Sequence, residues 1–135
     1  MAFSPLGNGF LSGKYSSKDE FKGNDVRRVI TRFDPKNMDA NQPLLDLINR
    51  FAAEKNATPA QIALAWVLSG GDFIVPIPGM RKETRIKENL GAAEVELTAD
   101  EYSALNAELA KIKIHGDRDG KDIKKLGTVP DNVNK

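Results

Sequence analysis

The sequence has 135 residues, with 20 Lys and Arg against 19 Asp and Glu, which leaves a net charge of +1. This length suits one domain of about 100–200 residues and is too short for two. Charged residues make up 29% and hydrophobic residues 40% of the chain, as in globular proteins rather than disordered or fibrous ones. A nearly neutral chain gives no sign of binding nucleic acid or an anionic membrane, and we expect neither as a partner.

Cysteine is absent and His115 is the only histidine. Disulfides, thiolate nucleophiles and Cys-ligated metals are therefore excluded, a multi-histidine metal site cannot form within one chain, and a Ser/His/Asp triad is disfavoured. The longest apolar run, 62–68, is far shorter than the ~20 residues of a membrane-spanning helix, and residues 1–5 show no secretion signal. We expect no metal site and a cytoplasmic location.

In chain order, residues 2–4 are typical of the end of a strand, and residues 5–9 (PLGNG) are typical of a loop. Residues 14–40 are charged and lack periodicity. A loop of that length is usually a lid, a binding loop or a disordered segment.

Two helices are predicted over residues 41–56 and 58–69. The apolar residues of the first recur at the spacing of one helical face: Leu44, Leu45, Ile48, Phe51 and Ala52. The second begins with a capping box formed by Thr58 and Gln61, with proline at its first position, and ends at Gly70. Its body is apolar nearly all round, so we expect it to be buried.

Residues 73–77 form a short apolar run that predicts an interior strand ending at Pro76. A helix over 81–93 follows, with Ile86 and Leu90 four residues apart.

A second capping box, at Thr98 and Glu101, opens the last helix. The inner face of this helix is predicted to carry Tyr102, Leu105, Leu109 and Ile112. Beyond Lys113 the chain is polar and glycine-rich, which predicts a folded part over 1–113 and a loosely held tail over 114–135.

The predicted order is strand, loop, helix, helix, strand, helix, helix. Strands that alternate with buried helices indicate an α/β fold with parallel strands. Two strands cannot form a sheet that is covered on both faces, so we expect this fold to be incomplete.

Three groups of residues are candidates for chemistry. The glycine-bearing turn after the first strand, with Ser4, could bring backbone N–H groups and a hydroxyl to an anion, or it could be an ordinary turn. The segment after the second strand places Arg81, Lys82 and Arg85 at the start of the predicted helix 81–93. Cations there oppose the helix dipole by about 0.3–1 kcal/mol each, a conflict that a bound phosphate would offset. Alternatively they are solvated side chains that pair with glutamates.

Arg85, Glu88 and Asn89 share a helix face through i+3 and i+4 spacing. A carboxylate and an amide next to a basic cluster could receive the edge of an adenine, or they could be ordinary surface residues.

Together these segments resemble the C-terminal part of an aldo-keto reductase. The resemblance covers residues 3 to about 113 and is carried by four motifs in the family's order and spacing: FSPLGNGFLSGK (3–14), TPAQIALAW (58–66), IVPIPG (74–79) and RIKENL (85–90). It implies an incomplete (β/α)8 TIM barrel, with residues 2–4 ending strand seven, residues 73–77 forming strand eight, and about four helices. It also implies an oxidoreductase that binds NADP(H) and reduces carbonyls by hydride transfer.

The resemblance also implies roles for nine residues. The pyrophosphate would lie at Ser4, Leu6 and Asn8. The 2′-phosphate would lie at Gly79, Met80, Arg81 and Arg85, and the adenine at Glu88 and Asn89. Residues 14–40 would form a loop over the cofactor, with Tyr15 at best as a lid residue.

Two departures from the family pattern matter. Met80 stands where the family usually has Ser or Thr, so NAD is a possible cofactor beside NADP. A full barrel runs to about 250 residues, and the family's catalytic Asp, Tyr, Lys and His lie in its first half. Neither His115 nor Tyr15 matches their motifs, so no catalytic residue is assigned and the chain alone is predicted to be inactive.

Open strand edges and uncovered apolar faces favour pairing or aggregation. We therefore expect the chain to associate with the missing part of the barrel or with a second copy of itself. Two other functions are compatible with the sequence: a non-catalytic nucleotide-binding or assembly module, and an inactive truncated fragment.

Overall fold

A computed structural model describes residues 1–117 of the chain. The helices and strands follow the order β1 (Ala2–Phe3), α1 (Pro35–Ala40), α2 (Gln42–Lys55), α3 (Pro59–Leu68), β2 (Pro76–Ile77), α4 (Glu83–Gly91) and α5 (Ala99–Leu109). Apart from the short α1, this is the predicted order.

The two strands of the described chain pair in parallel. Ala2 lies opposite Pro76 and Phe3 opposite Ile77, and the backbone N–H of Ala2 donates to the carbonyl oxygen of Val75 at 2.8 Å. Within residues 1–117 each strand has one partner. The molecule is thus mixed helix and parallel strand with an incomplete sheet, consistent with part of a barrel.

The second strand differs from the prediction in position and burial. It begins at Pro76 instead of ending there, because the first residue of a strand needs no N–H for the ladder and so tolerates proline. Phe73 is 86% exposed and Val75 is 56% exposed, so the predicted interior strand is wrong for this chain as it stands. With a single partner strand, nothing among the described residues covers these side chains.

The main core lies between α2, α3 and α5. Its buried members are Leu47, Ile48, Phe51, Ala52, Ile62 and Leu105. Both predicted capping boxes are present. Gln61 N donates to Thr58 Oγ1 at 3.3 Å, and Thr58 N donates to Gln61 Oε1 at 3.0 Å. These reciprocal bonds fix where α3 begins, and the pair at Thr98 and Glu101 does the same for α5.

Helix α4 is shorter than predicted, since it begins at Glu83 and a 3₁₀ turn over Ala92–Glu94 follows it. Arg81 precedes the helix and Lys82 is its N-cap residue, while Glu83 occupies the first turn, where a negative charge is favourable. Of the three cations predicted to oppose the helix dipole, Lys82 at the N-cap and Arg85 in the first turn still do so, and Glu83 offsets part of their effect. Ile86 and Leu90 are exposed.

Residues 14–40 are folded, although their sequence lacks helical periodicity. Two 3₁₀ turns, Val26–Val29 and Thr31–Phe33, precede α1. A second buried cluster holds them in place, formed by Phe10, Ile30, Phe33, Met38 and Leu45. A turn of three or four residues is too short to show a 3.6-residue period of apolar residues. The folded structure of residues 14–40 was therefore not predicted from the sequence.

The first residues of the predicted tail, 114–117, are attached to the domain. The fully buried Asn41 donates to the carbonyl oxygen of His115 and accepts from its N–H, both at 2.8 Å, and Asp117 N donates to Thr31 Oγ1 at 2.8 Å. The remainder of that tail, 118–135, lies outside the described residues. In the stretch 1–117, no helix has both the length and the apolarity needed to cross a bilayer.

Candidate functional site

A cleft of about 1250 Å³ opens where the carboxyl ends of β1 and β2 meet. Parallel strands bring the segments that follow them to the same edge of the sheet, which is why residues some 75 positions apart in sequence line one space. All nine residues singled out from the sequence line it: Ser4, Leu6, Asn8, Gly79, Met80, Arg81, Arg85, Glu88 and Asn89. Their roles in binding stay predictions.

The first wall is a tight turn directly after β1. The carbonyl oxygen of Leu6 accepts from both Gly9 N at 3.0 Å and Leu11 N at 3.2 Å. Ser4 and Asn8 have positive φ angles, 48° and 57°. Asparagine tolerates this conformation, but for serine it is uncommon and costs of the order of 1 kcal/mol. Backbone strain of this kind is concentrated at binding sites.

The second wall runs from the end of β2 into α4. Among the described residues Arg81 and Lys82 form no ion pair, whereas Arg85 Nη1 lies 2.8 Å from Glu88 Oε2. Around the whole cleft, four cationic side chains face two carboxylates, a surplus of two positive charges. The cleft therefore favours an anionic ligand.

Asn89 is the most informative polar group in the cleft. It is only 9% exposed, yet its side-chain amide makes no hydrogen bond within residues 1–117. Within the described residues, every side-chain polar atom that is fully shielded from solvent has a hydrogen-bond partner. Because the Asn89 amide has none, it must be open to solvent, and it reaches the open space of the cleft. The amide is therefore available to form hydrogen bonds with a ligand that enters the cleft.

The third wall comes from the segment 14–40, and most of it was missed from sequence. Tyr15, Asp25 and Arg27 line the cleft, and Arg27 donates from Nε and Nη2 to the Asp25 carboxylate. That hydrogen bonding lowers the pKa of Asp25 and, as the largest of several effects, raises the pKa of Arg27 above its ordinary value. These three residues are 10 and 2 positions apart, a spacing that matches no motif. Only the length of the segment indicated that it could be a binding loop.

The cleft suits binding more than proton transfer. Its two carboxylates, Asp25 and Glu88, are each paired with an arginine. The hydrogen bonds from Arg27 lower the pKa of Asp25. His115 does not line the cleft and is held elsewhere by Asn41. The described lining thus offers hydrogen bonds and positive charge to a ligand, and both of its carboxylates are already paired.

The sequence model described as "Aldo/keto reductase family" matches residues 1–110 of the chain. The chain belongs to the aldo/keto reductase family. This confirms the resemblance inferred from the four motifs, and in this family the partial parallel sheet corresponds to part of a (β/α)8 barrel.

Two members of the aldo/keto reductase family show how much of such a protein the chain represents. Aldo-keto reductase str7 of Strobilurus tenacellus is 38% identical over 121 residues, covering 90% of this chain and 36% of that protein. Aldo-keto reductase yakc [NADP(+)] of Schizosaccharomyces pombe is 42% identical over 98 residues, covering 73% of this chain and 29% of that protein. The chain spans about a third of the length of these curated relatives.

Proposed function

We propose that this chain is the C-terminal, NADP(H)-binding portion of an aldo-keto reductase, an oxidoreductase that reduces carbonyl compounds by hydride transfer. The observation that carries the proposal is the convergence of residues 4–8 and 79–89 on one positively charged cleft. When bound, NADPH would supply the hydride. The family's catalytic residues have no counterparts here, so we expect the chain alone to bind cofactor without turning it over.

The lining groups fit a dinucleotide. The volume of the cleft, about 1250 Å³, exceeds the roughly 300–1000 Å³ of most small-molecule sites, so an extended ligand can be accommodated. The strained turn at Ser4 and Asn8 would bind the pyrophosphate. Arg81 and Lys82 would bind the 2′-phosphate, and the Asn89 amide, which has no protein partner, would bind the edge of the adenine. Each group is thus matched to a ligand moiety of complementary charge or hydrogen-bonding capacity.

A preference for NADP over NAD is expected to depend on the two unpaired cations. Met80 cannot donate a hydrogen bond to a 2′-phosphate, and Arg85 is already engaged by Glu88. Arg81 and Lys82 are exposed at the cleft and form no ion pair with a carboxylate among the described residues. The name of the fission-yeast relative, which includes NADP(+), also supports this cofactor.

The direct test is a titration of the 135-residue chain with NADPH and NADH, followed by calorimetry and by the fluorescence of the reduced nicotinamide. Arg81→Ala should weaken NADPH binding at least about tenfold, since a hydrogen bond to a charged group contributes about 1.5–3 kcal/mol, and should leave NADH binding nearly unchanged.

Lys87→Ala is the matched control. Lys87 is a nearby cation within α4, but it pairs with Glu83 at 2.7 Å and does not line the cleft. Equal losses in the two variants, or equal affinity of the parent chain for NADPH and NADH, would contradict the phosphate assignment. Oxidation of NADPH by the purified chain in the presence of a simple aldehyde would contradict the expected lack of turnover.

The uncovered sheet supports a partner for this chain. Phe73, Val75 and Ile77 are all exposed around β2, and each described strand has a free edge. Parallel sheets are normally covered on both faces, so this surface suits other strands and helices of a barrel. We propose that it takes up the missing part of the barrel or a second copy of the chain. Light scattering on a size-exclusion column should show association, and a stable monomer with a cooperative melt would count against it.

A further inference from the structure

The guanidinium of Arg27 occupies the corner between two aromatic rings. Its central carbon lies 4.5 Å from the ring centroids of both Tyr15 and Phe21, and these centroids are 5.6 Å apart. Three such similar distances place the cation in an angle between the rings and not between two parallel faces. Asp25 pairs with the same guanidinium, at 2.9 Å from Nε and 2.5 Å from Nη2. The Arg27 side chain is 22% exposed, so most of its surface is covered by other groups of the protein.

Tyr15 connects this cluster to the turn after β1. A Cβ atom built on Gly9 would lie 3.0 Å from Cε2 of Tyr15, so the tyrosine ring rests directly on the backbone of Gly9. The other neighbours of the ring are Phe21 and the buried Phe33, both in edge-to-face contact. The turn that carries Ser4 and Asn8 is therefore linked to Arg27 through a single aromatic side chain.

We propose that Arg27 is a positioning residue of the candidate cofactor site, which holds Tyr15 against the turn at Gly9 and so keeps residues 15–27 as a fixed wall of the cleft. Arg27 acts through Tyr15 and Asp25 and is not itself a ligand for phosphate. Its effect on cofactor rests on the function proposed above. Loss of the cation would let the wall open more often, which accelerates release of a bound ligand more than it slows entry.

The first measurement is amide hydrogen exchange of residues 14–30 in the free chain, which needs no ligand. The second is the dissociation rate of NADPH, followed by stopped-flow fluorescence with excess NADP+ as the competitor. Arg27→Leu should raise both exchange in this segment and the dissociation rate, by between about two- and thirtyfold, the range that a cation–aromatic contact supports. Arg28→Leu is the control, because Arg28 is exposed and does not line the cleft.

Arg27→Lys should restore part of the effect, since an ammonium can lie against the rings but cannot make the forked pair with Asp25. A purely structural role would instead lower the melting temperature and raise exchange throughout the chain. If Arg27→Leu fails to fold, Asp25→Asn removes the charge of the partner alone and should produce a smaller change of the same kind.

The proposal is overturned if Arg27→Leu matches Arg28→Leu in both exchange and dissociation rate. Failure of the parent chain to bind NADPH would instead refute the proposed function. In that case exchange over residues 14–30 in the free chain still decides whether Arg27 fixes the wall.

Discussion

The side chain of Gln61 both caps helix α3 and anchors helix α4, which lines the cleft. Its Oε1 accepts from Thr58 N at 3.0 Å, which closes the capping box of α3. Its Nε2 donates to the carbonyl oxygen of Glu88 at 2.9 Å, which ties α4 to α3. Replacing Gln61 by Ala removes both bonds, whereas replacing Thr58 by Ala removes only the other half of the capping box. The difference between the two variants therefore measures the bond to α4.

The expected magnitudes follow from these contacts. Thr58→Ala should cost about 1 kcal/mol of unfolding free energy, as for other N-cap threonines. Gln61→Ala loses two neutral hydrogen bonds at about 1 kcal/mol each, less a few tenths for the better helix propensity of alanine. For a domain near 100 residues, about 1 kcal/mol shifts the melting temperature by roughly 4–8 °C, so the second variant should melt several degrees below the first.

Gln61→Glu separates the two functions of the side chain. A carboxylate still accepts from Thr58 N and is favoured in the first turn of a helix, but it cannot donate to the carbonyl oxygen of Glu88. In Gln61→Glu, hydrogen exchange of α4 should therefore change more than the melting temperature does. Exchange over residues 83–91 should rise, NADPH affinity should fall several-fold through Asn89 and its neighbours, and the cap should remain. Equal melting temperatures for Thr58→Ala and Gln61→Ala, with no change in exchange of α4, would refute the anchoring role.

Two further predictions concern other contacts. Asn41→Ala removes both hydrogen bonds to His115, so trypsin should cleave after the exposed Lys113 several-fold faster than in the parent chain, whereas an equal cleavage rate would mean that Asn41 does not hold this segment. The folded-state pKa of Asp25 is lowered by hydrogen bonding from Arg27, so its contribution to stability is present above its ordinary pKa of about 3.9 and is lost as pH falls below that. The melting temperature of the parent chain should consequently fall more steeply between about pH 5 and 3 than that of Asp25→Asn, and parallel curves would contradict the pKa assignment.

Local chemistry was predictable from the sequence where partners lie three or four residues apart. The capping box at Thr58 and Gln61 is formed as expected, because both hydrogen bonds join residues at fixed helical spacing. Convergence on one cleft was also predictable, since the carboxyl ends of parallel strands share an edge. It needed only that residues 2–4 and 73–77 be recognised as neighbouring strands.

Contacts between distant residues could not be predicted in the same way. The bond from Gln61 to the backbone of Glu88 spans 27 positions, and its donor is an amide that the capping box already accounts for. Tyr15 and Arg27 lie 12 positions apart and meet because non-periodic turns, closed by Asp19 N to Ser16 O and by Asp25 N to Lys22 O, fold the chain between them. The strand prediction failed at Phe73 for another reason. An apolar run indicates that a side chain should be buried, but not which polypeptide buries it.

The helical core and the two-stranded sheet differ in whether the described chain alone covers their apolar side chains. The core between α2, α3 and α5 buries its apolar residues within the described chain, so these helices need no further partner to be covered. The sheet does not, since Phe73 and Val75 remain exposed beside β2. The turn at Ser4 and the segment at Arg81 both follow directly from these two strands. Order in the cleft therefore depends on the uncovered sheet, and any polypeptide that covers the sheet should also tighten the cleft. We therefore expect the proposed cofactor binding and the proposed association to be coupled through the strands, so that each strengthens the other by the same factor.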